Sequence, residues 1–275
     1  MVFHSGEREI QRRAGVREMA DKVGRIIRDR IPEAAVDFVE TQRMLLLGHR
    51  DEKGRVRAAL LTGRPGFARS VDPVTLEVDG PSPPPGEGAI LAIDFARRFR
   101  MRLNGTLEPR AGGFRILAKE VYSNCPKYIQ ARVIEGERPV SAEPQGSSTL
   151  SDSQRALIGR ADTFFLATVP EGHHADVSHR GGNPRFVRVD GNRLAWDDYV
   201  GNAMFNTLGN LELDPEVALL FVDWQGGTLL HLNGRARVIG DKERVVEVEI
   251  AEVTETPGGH PFRWSAPSYS PFNPR

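Results

Sequence analysis

The stretch Ala175–Asp223, ADVSHRGGNPRFVRVDGNRLAWDDYVGNAMFNTLGNLELDPEVALLFVD, determines how the rest of the chain is interpreted. From Phe186 to Val189 apolar and charged residues alternate, which is typical of a half-buried strand. Asp190-Gly191-Asn192 has the composition of a hairpin turn, and residues 193–196 form a second apolar run. The stretch therefore predicts a β-hairpin that follows a basic, glycine-rich segment.

A helix is predicted directly after this hairpin, because four apolar residues fall on one helical face: Met204, Phe205, Leu208 and Leu211. Gly201-Asn202 lies where that helix should begin. The start of a helix offers free backbone N–H groups and the positive end of the helix dipole, which suit a phosphate. Three upstream arginines supply further donors for the same anion: Arg180, Arg185 and Arg188. Spacing alone leaves open a plain surface hairpin and helix with solvated arginines.

Composition narrows the class of protein. The 275 residues contain 37 Lys+Arg and 37 Asp+Glu, a balance that argues against a general nucleic-acid binder. No apolar run approaches the roughly 20 residues of a membrane span, and the N-terminus lacks the apolar core of a signal peptide. Cys125 is the only cysteine, so an intramolecular disulfide cannot form. We therefore expect a cytoplasmic protein that binds neither nucleic acid nor membrane.

Short strands dominate the remaining pattern. The first forty residues are predicted to be helical, with a helix from Gly15 and a short one over 34–40. Strands are then predicted at 44–47, 56–61, 75–78, 89–95, 101–107, 114–121, 163–169, 228–239 and 244–253. Ser151 and Gln154 form a capping box for a helix that ends near Gly159. Many short strands with few helices between them indicate an antiparallel barrel.

The two halves of the chain repeat one pattern. Pro65, Phe67 and Arg69 recur as Pro184, Phe186 and Arg188, 119 residues later. An Asp followed nine residues later by Leu-Asn-Gly also recurs, with Asn104 matched by Asn233. The extra interval in the second half contains the segment 201–211, where the first half has a proline-rich loop. Two related barrels are therefore expected, with the phosphate segment present only in the second.

Several motifs resemble the flavin-nucleotide-binding proteins related to pyridoxamine 5'-phosphate oxidase. The residues that carry the resemblance are Asp176–Gly182, Phe186–Asp190, Trp196–Tyr199, Gly201–Leu211, Asn124–Gln130 and Tyr269–Pro274. The resemblance implies a mainly β fold with flanking helices, made of two tandem FMN-binding split barrels, each six-stranded, antiparallel and of Greek-key type. Residues 1–138 would form the first domain with its N-terminal helices, 139–150 a linker, and 151–275 the second domain.

The resemblance also implies a function. FMN would lie in a cleft between two barrels, supplied by one chain or by a homodimer. The protein would be a flavin-dependent oxidoreductase of unknown substrate, reduced by a nicotinamide or by a protein electron donor. The alternative is a non-catalytic FMN-binding or electron-transfer protein, since no catalytic residue is identified. The residues expected to bind the cofactor are Ser178, Arg180, Arg185, Arg188, Trp196, Asp198, Tyr199, Gly201, Asn202, Asn206 and Asn210.

Three features of the sequence have competing interpretations. Arg185 stands where relatives have glycine, and it would either contact the phosphate or crowd the turn. His173, His174 and His179 are close in sequence, but surface histidines are expected rather than a metal site. Cys125 is interpreted as a packed thiol rather than a reactive one.

Overall fold

A computed structural model describes residues 2–140 and 143–274 as a mainly β chain with few helices. The helices are α1 (Ser5–Arg13), α2 (Arg17–Gly24), α3 (Glu33–Glu40), α4 (Asp152–Arg160) and α5 (Asn206–Leu213). The strands of the N-terminal part are β1 (Met44–Arg50), β2 (Val56–Thr62), β3 (Ala68–Asp72), β4 (Thr75–Asp79), β5 (Gly86–Asp94), β6 (Phe99–Arg110), β7 (Gly113–Ser123) and β8 (Ile134–Glu137). The remaining strands are β9 (Gln145–Ser147), β10 (Thr163–Thr168), β11 (Asp176–Gly181), β12 (Arg188–Asp190), β13 (Arg193–Asp197), β14 (Glu216–Val222), β15 (Leu229–Ile239), β16 (Val245–Thr256) and β17 (Phe262–Trp264).

The strands form two antiparallel sheets with the same order of strands. One runs β2-β1-β5-β6-β7-β4-β3, and the other runs β11-β10-β14-β15-β16-β13-β12, with β9 paired to β16. We call residues 33–128 the first half, which includes the segment after β7, and residues 152–256 the second half. Each path contains seven strands, one more than the six expected, because the short strands β3 and β12 form separate hairpin arms.

Pairing register shows which residues of the halves correspond. The bulge in the β6–β7 pair follows Asn104, and the bulge in the β15–β16 pair follows Asn233. Arg69 pairs with Asp79 at 2.7 Å, and Arg188 pairs with Asp197 at 2.9 Å. The correspondences of Arg69 with Arg188 and of Asn104 with Asn233 thus agree with the repeat in the sequence.

The tight turn before each hairpin arm is also repeated. Gly66 and Arg185 both have positive φ, at 89° and 74°. Their backbone N–H groups donate to the carbonyls of Glu40 and Gly159, at the ends of α3 and α4. A left-handed backbone is strained for any residue with a Cβ, which explains why this position favours glycine.

The N-terminal helices and the expected linker depart from the sequence expectations. The long helix expected from Gly15 is shorter and is preceded by α1, which packs against α5 rather than on a sheet. The contact is close, because a Cβ on Gly6 would lie 2.1 Å from the Gly209 carbonyl oxygen. The expected linker 139–150 contains strand β9, whereas the capping box of α4 at Ser151 and Gln154 is present as predicted.

The two sheets pack against each other through equivalent strands. Contacts join β1 to β10, β5 to β11 and β2 to β14, and exchanging the two halves turns the β5–β11 contact into the β2–β14 contact. The shared core lies between them and includes Leu46, Ala58, Leu91, Phe165, Val177 and Leu220. Each half also has its own core on the other face of its sheet. None of the helices in the described part of the chain has the length and apolar character to cross a membrane.

Candidate functional site

A cleft of about 890 Å³, including its open mouth, lies where the two halves meet. The first half lines it with β6 and with the segment that follows β7. The second half lines it with β11, the end of β13 and the residues that lead into α5. A single chain therefore supplies both walls.

Positive charge converges on this cleft. Arg100, Arg102, Lys127 and Arg180 all line it. Arg100 donates to the Cys125 carbonyl at 2.6 and 3.1 Å and contacts His179, all of which are neutral partners. Within the described residues neither Arg100 nor Lys127 forms an ion pair. Burial, followed by repulsion from Arg102 and Arg180, lowers the pKa of Arg100 to about 9. The cleft thus has uncompensated positive charge.

Arg180 lines the cleft as predicted, but its charge is partly neutralised. Its Nη1 lies 3.3 Å from a carboxylate oxygen of Asp198, whose other oxygen accepts from Arg244 at 3.0 Å. Asp198 therefore pairs with two arginines while it lines the cleft. The Nε atom of Arg180 is buried without a partner in the described chain, which leaves one donor for a ligand.

A buried polar network joins the two halves at the floor of the cleft. Arg102 pairs with Asp176, and both side chains are almost fully buried. Asp176 accepts from the hydroxyl of Thr207, which lies 3.0 Å from the hydroxyl of Ser178. The predicted donor Ser178 is therefore bonded to the first turn of α5. The network fixes where α5 begins relative to β11 and β6.

The start of α5 faces the cleft, although not at the residues predicted. The helix begins at Asn206, and residues 205–208 line the cleft. Gly201 and Asn202 also line it, but they belong to the preceding loop. Ala203 and Phe205 both have φ of 62°, so the backbone cannot be helical through them. Free N–H groups and the dipole of α5 still point to the cleft from this position.

Two tyrosines stand together at the mouth of the cleft. The rings of Tyr128 and Tyr199 lie 5.1 Å apart, and the Tyr128 hydroxyl donates to the carbonyl of Val200. Tyr199 is a predicted site residue. Trp196 touches the cleft but is only 1% exposed, and it packs edge-on to Phe164 in the core of the second half. Trp196 is therefore mainly a core residue.

Three predicted site residues lie away from the cleft. Arg185 is exposed in its turn, and Arg188 is paired with Asp197 in the same arrangement as Arg69 with Asp79. Arg188 is exposed and is not among the residues that line the cleft. Asn210 is buried on the far side of α5, where its amide donates to Thr168 and to the carbonyl of His174.

The three clustered histidines do not converge. His179 is buried in β11 and lines the cleft, and burial followed by repulsion from Arg100 lowers its pKa well below 6.5. His174 instead lies 3.4 Å from Glu87 on the other side of α5. The part of the chain that the structure describes contains no group of three His, Cys, Asp or Glu side chains arranged to hold a metal ion. Cys125 is a half-buried free thiol beside Arg100.

Sequence reasoning missed the residues that the first half contributes. Arg100, Arg102, Lys127 and Tyr128 line the cleft, yet none of them was proposed as a ligand. A signal was present: RFRMRLNG in the first half corresponds to TLLHLNG in the second, so charged residues stand only in the first. Comparing the repeats residue by residue would have exposed this difference.

Comparison with known proteins relates the second half to a known family. Residues 150–267 match the family model of pyridoxamine 5'-phosphate oxidase. No curated protein matches the chain.

Several solved structures resemble parts of the chain. HupZ of Group A Streptococcus is 15% identical and covers 38% of this chain and 98% of its own, with a TM-score of 0.32. A FAD-binding protein from Mesorhizobium loti is 12% identical over 40% of this chain and 96% of its own, with a TM-score of 0.31. A Clostridium acetobutylicum protein of the pyridoxinephosphate oxidase family is 12% identical over 40% of this chain and 89% of its own, with a TM-score of 0.30. The family match, rather than these distant likenesses, defines the class.

Proposed function

We propose that the chain binds FMN in the cleft between its halves and acts as a flavin-dependent oxidoreductase related to pyridoxamine 5'-phosphate oxidase. The observation that carries the proposal is the excess positive charge of the cleft, in a chain whose residues 150–267 match that family. Four cationic side chains, Arg100, Arg102, Lys127 and Arg180, line the cleft together with two carboxylates, Asp197 and Asp198.

The donor set fits a terminal phosphate. A phosphate monoester carries close to two negative charges at neutral pH and needs cationic partners when it leaves water. Arg100 and Lys127 have no carboxylate partner in the described chain, and the buried Nε of Arg180 and Nε2 of His179 have no hydrogen-bond partner. With the start of α5, these groups would hold the phosphate. FMN is favoured over FAD because they suit one terminal phosphate.

The protein residues would bind and orient the cofactor, while FMN when bound supplies the acceptance and release of hydride or electrons. Eight residues proposed from the sequence line the cleft and remain in the proposed site: Ser178, Arg180, Trp196, Asp198, Tyr199, Gly201, Asn202 and Asn206. The Tyr128 and Tyr199 rings provide an aromatic surface for a flavin ring. A nicotinamide or a protein would be the electron donor, and a cytoplasmic location suits such a partner.

The architecture belongs to the same proposal. Each half would be one split barrel, so that the chain is a tandem pair of domains joined near residues 139–150. The equal strand order, the matching bulges and the matching turns support this assignment. A single chain would then provide the cleft that a homodimer would otherwise provide.

The cofactor is tested on the purified protein. We expect a flavin absorbance spectrum, after FMN reconstitution where necessary, and FMN in the mass spectrum of the heat-released ligand. FAD, heme or no retained ligand would contradict the cofactor assignment. Stopped-flow mixing with NADH or NADPH then separates an enzyme from a non-catalytic binder. Reduction slower than that of free FMN under the same conditions would favour the non-catalytic alternative.

A further inference from the structure

The two halves meet in a pseudo-twofold arrangement that has two equivalent sides. The candidate cleft lies where β6 of the first half approaches β11 of the second. Exchanging the halves generates the opposite side, where β15 of the second half approaches β2 of the first. A recess of about 710 Å³, including its open mouth, is present there, lined by Arg57, His231, Asn233 and Glu252 among others. Both sides therefore have a concave surface where the two halves meet.

The register shows what replaces each cation of the cleft. Arg100 pairs with Ile93 in the first half, and Val222, the equivalent of Ile93, pairs with Leu229 in the second half. Leu229 therefore replaces Arg100. In the same way Arg102 corresponds to His231, and Arg180 corresponds to Leu61. Lys127 lies four residues after the end of β7, and the residue four positions after the equivalent Glu255 is Gly259. None of the four replacements carries a fixed positive charge.

His231 does not restore the lost charge. Burial, followed by repulsion from Arg57, lowers the pKa of His231 to about 4, so its imidazole is neutral at physiological pH. Arg57 occupies the position in β2 that is equivalent to Asp176 in β11. Its guanidinium pairs with Asp51 at 2.8 Å and donates to the side-chain oxygen of Asn233 at 2.8 Å.

The opposite side instead ties the two halves together. Arg50 pairs with Asp214 at 2.6 Å and with Glu216 at 2.7 Å, and Arg55 pairs with Glu252 at 3.1 Å. All of these ion pairs join the first half to the second. The loop 80–85, which contains four prolines, takes the place of the segment with α5. Among the residues that the structure describes, this recess is therefore lined by neither a helix N-terminus nor an unpaired Lys or Arg.

We infer that the chain contains one phosphate-binding site, completed by Arg100 and Lys127 of the first half, and that the equivalent opposite side binds no phosphate. A single chain is then sufficient and takes one phosphorylated ligand. The inference rests on the proposed function only for the identity of that ligand, since the asymmetry of charge holds for any phosphate-like anion.

An anomalous-scattering anion tests the inference without a flavin. Crystals of the full chain soaked in tungstate should show an anomalous peak at Arg100 and Lys127, and none at the recess lined by His231. A peak at that recess, or no peak at Arg100, would overturn the inference. The double variant Arg100→Leu/Lys127→Gly places the opposite side's residues in the cleft and should remove the peak. Arg57→Gln is the matched control and should leave the peak unchanged.

A titration with FMN separates this inference from the proposed function. Calorimetry on the folded protein, checked by circular dichroism, should give one FMN per chain, independent of protein concentration. Two FMN per chain, or one per two chains, would overturn the single-site inference. A tungstate peak in the cleft without FMN binding would retain the inference and refute FMN as the ligand. Arg100→Lys should recover part of the affinity that Arg100→Leu loses, which distinguishes lost charge from lost folding.

Discussion

Replacing Arg100 by leucine should weaken FMN binding far more than riboflavin binding. The Arg100 guanidinium is half-buried and bonded only to neutral groups, the Cys125 carbonyl and His179. A hydrogen bond to a charged partner contributes about 1.5–3 kcal/mol, and each factor of ten in affinity corresponds to about 1.4 kcal/mol. Loss of this contact should therefore raise the Kd for FMN by about one to two decades. Leucine should be compatible with the fold at this position, because Leu229 occupies the equivalent position in the other half.

The assay is a fluorescence titration of apo-protein with FMN and with riboflavin, which has no phosphate. We expect the Kd for riboflavin to change by less than about half a decade, because the lost contact is to the phosphate. Arg97→Leu is the matched control, since its side chain is 79% exposed and pairs only with Asp94. Equal losses of affinity for FMN and for riboflavin would refute the phosphate contact. They would indicate instead that Arg100 stabilises the loop at Cys125.

Further predictions concern single side chains. Arg180→Ala should weaken FMN binding by about tenfold, less than the Arg100 variant, because Arg180 is already partly neutralised by Asp198; the same titration checks this order. Arg188→Ala should leave the FMN affinity unchanged and cost at most about 1 kcal/mol of unfolding free energy in urea denaturation, since its ion pair is exposed. Arg185→Gly should raise the unfolding free energy by about 1 kcal/mol, because it relieves a left-handed backbone; a lower stability would show that the Arg185 side chain has a role. Burial raises the pKa of Glu7 to about 8, so in the folded state Glu7 keeps a proton that it releases above its ordinary pKa of 4.5 in the unfolded state. Stability from Glu7 is thus fully present below pH 4.5 and is lost as the pH rises to 8; Glu7→Gln should remove this decline, and identical pH profiles of the two proteins would contradict it.

Much of the fold follows from local pattern. Most strands were predicted within a few residues, because each has an apolar run bounded by glycine, proline or a charged turn. The capping box at Ser151 was also predicted, since it depends on two residues three positions apart. The short arm β3 was missed because its residues follow a Pro-Gly turn and only one of its faces is buried.

The candidate site was less predictable, because it is assembled from parts that are distant in sequence. Arg180 was identified from the basic segment around it, but Arg244, which pairs with the same Asp198, is 64 residues away and could not be inferred. Arg188 resembled a ligand in sequence, whereas the pair with Asp197 is the structural feature that both halves share. Arg100 belongs to the other half of the chain, and only the packing of the two sheets brings it to β11.

The crystal structure of the full chain with FMN tests the central claim most directly. The account predicts one FMN per chain in the cleft between the halves, with its phosphate within hydrogen-bonding distance of Arg100 or Lys127 and near the start of α5. A phosphate in the recess lined by Arg57 and His231, or an FMN held between two chains, would contradict the account. Crystals that take up no FMN would contradict it as well.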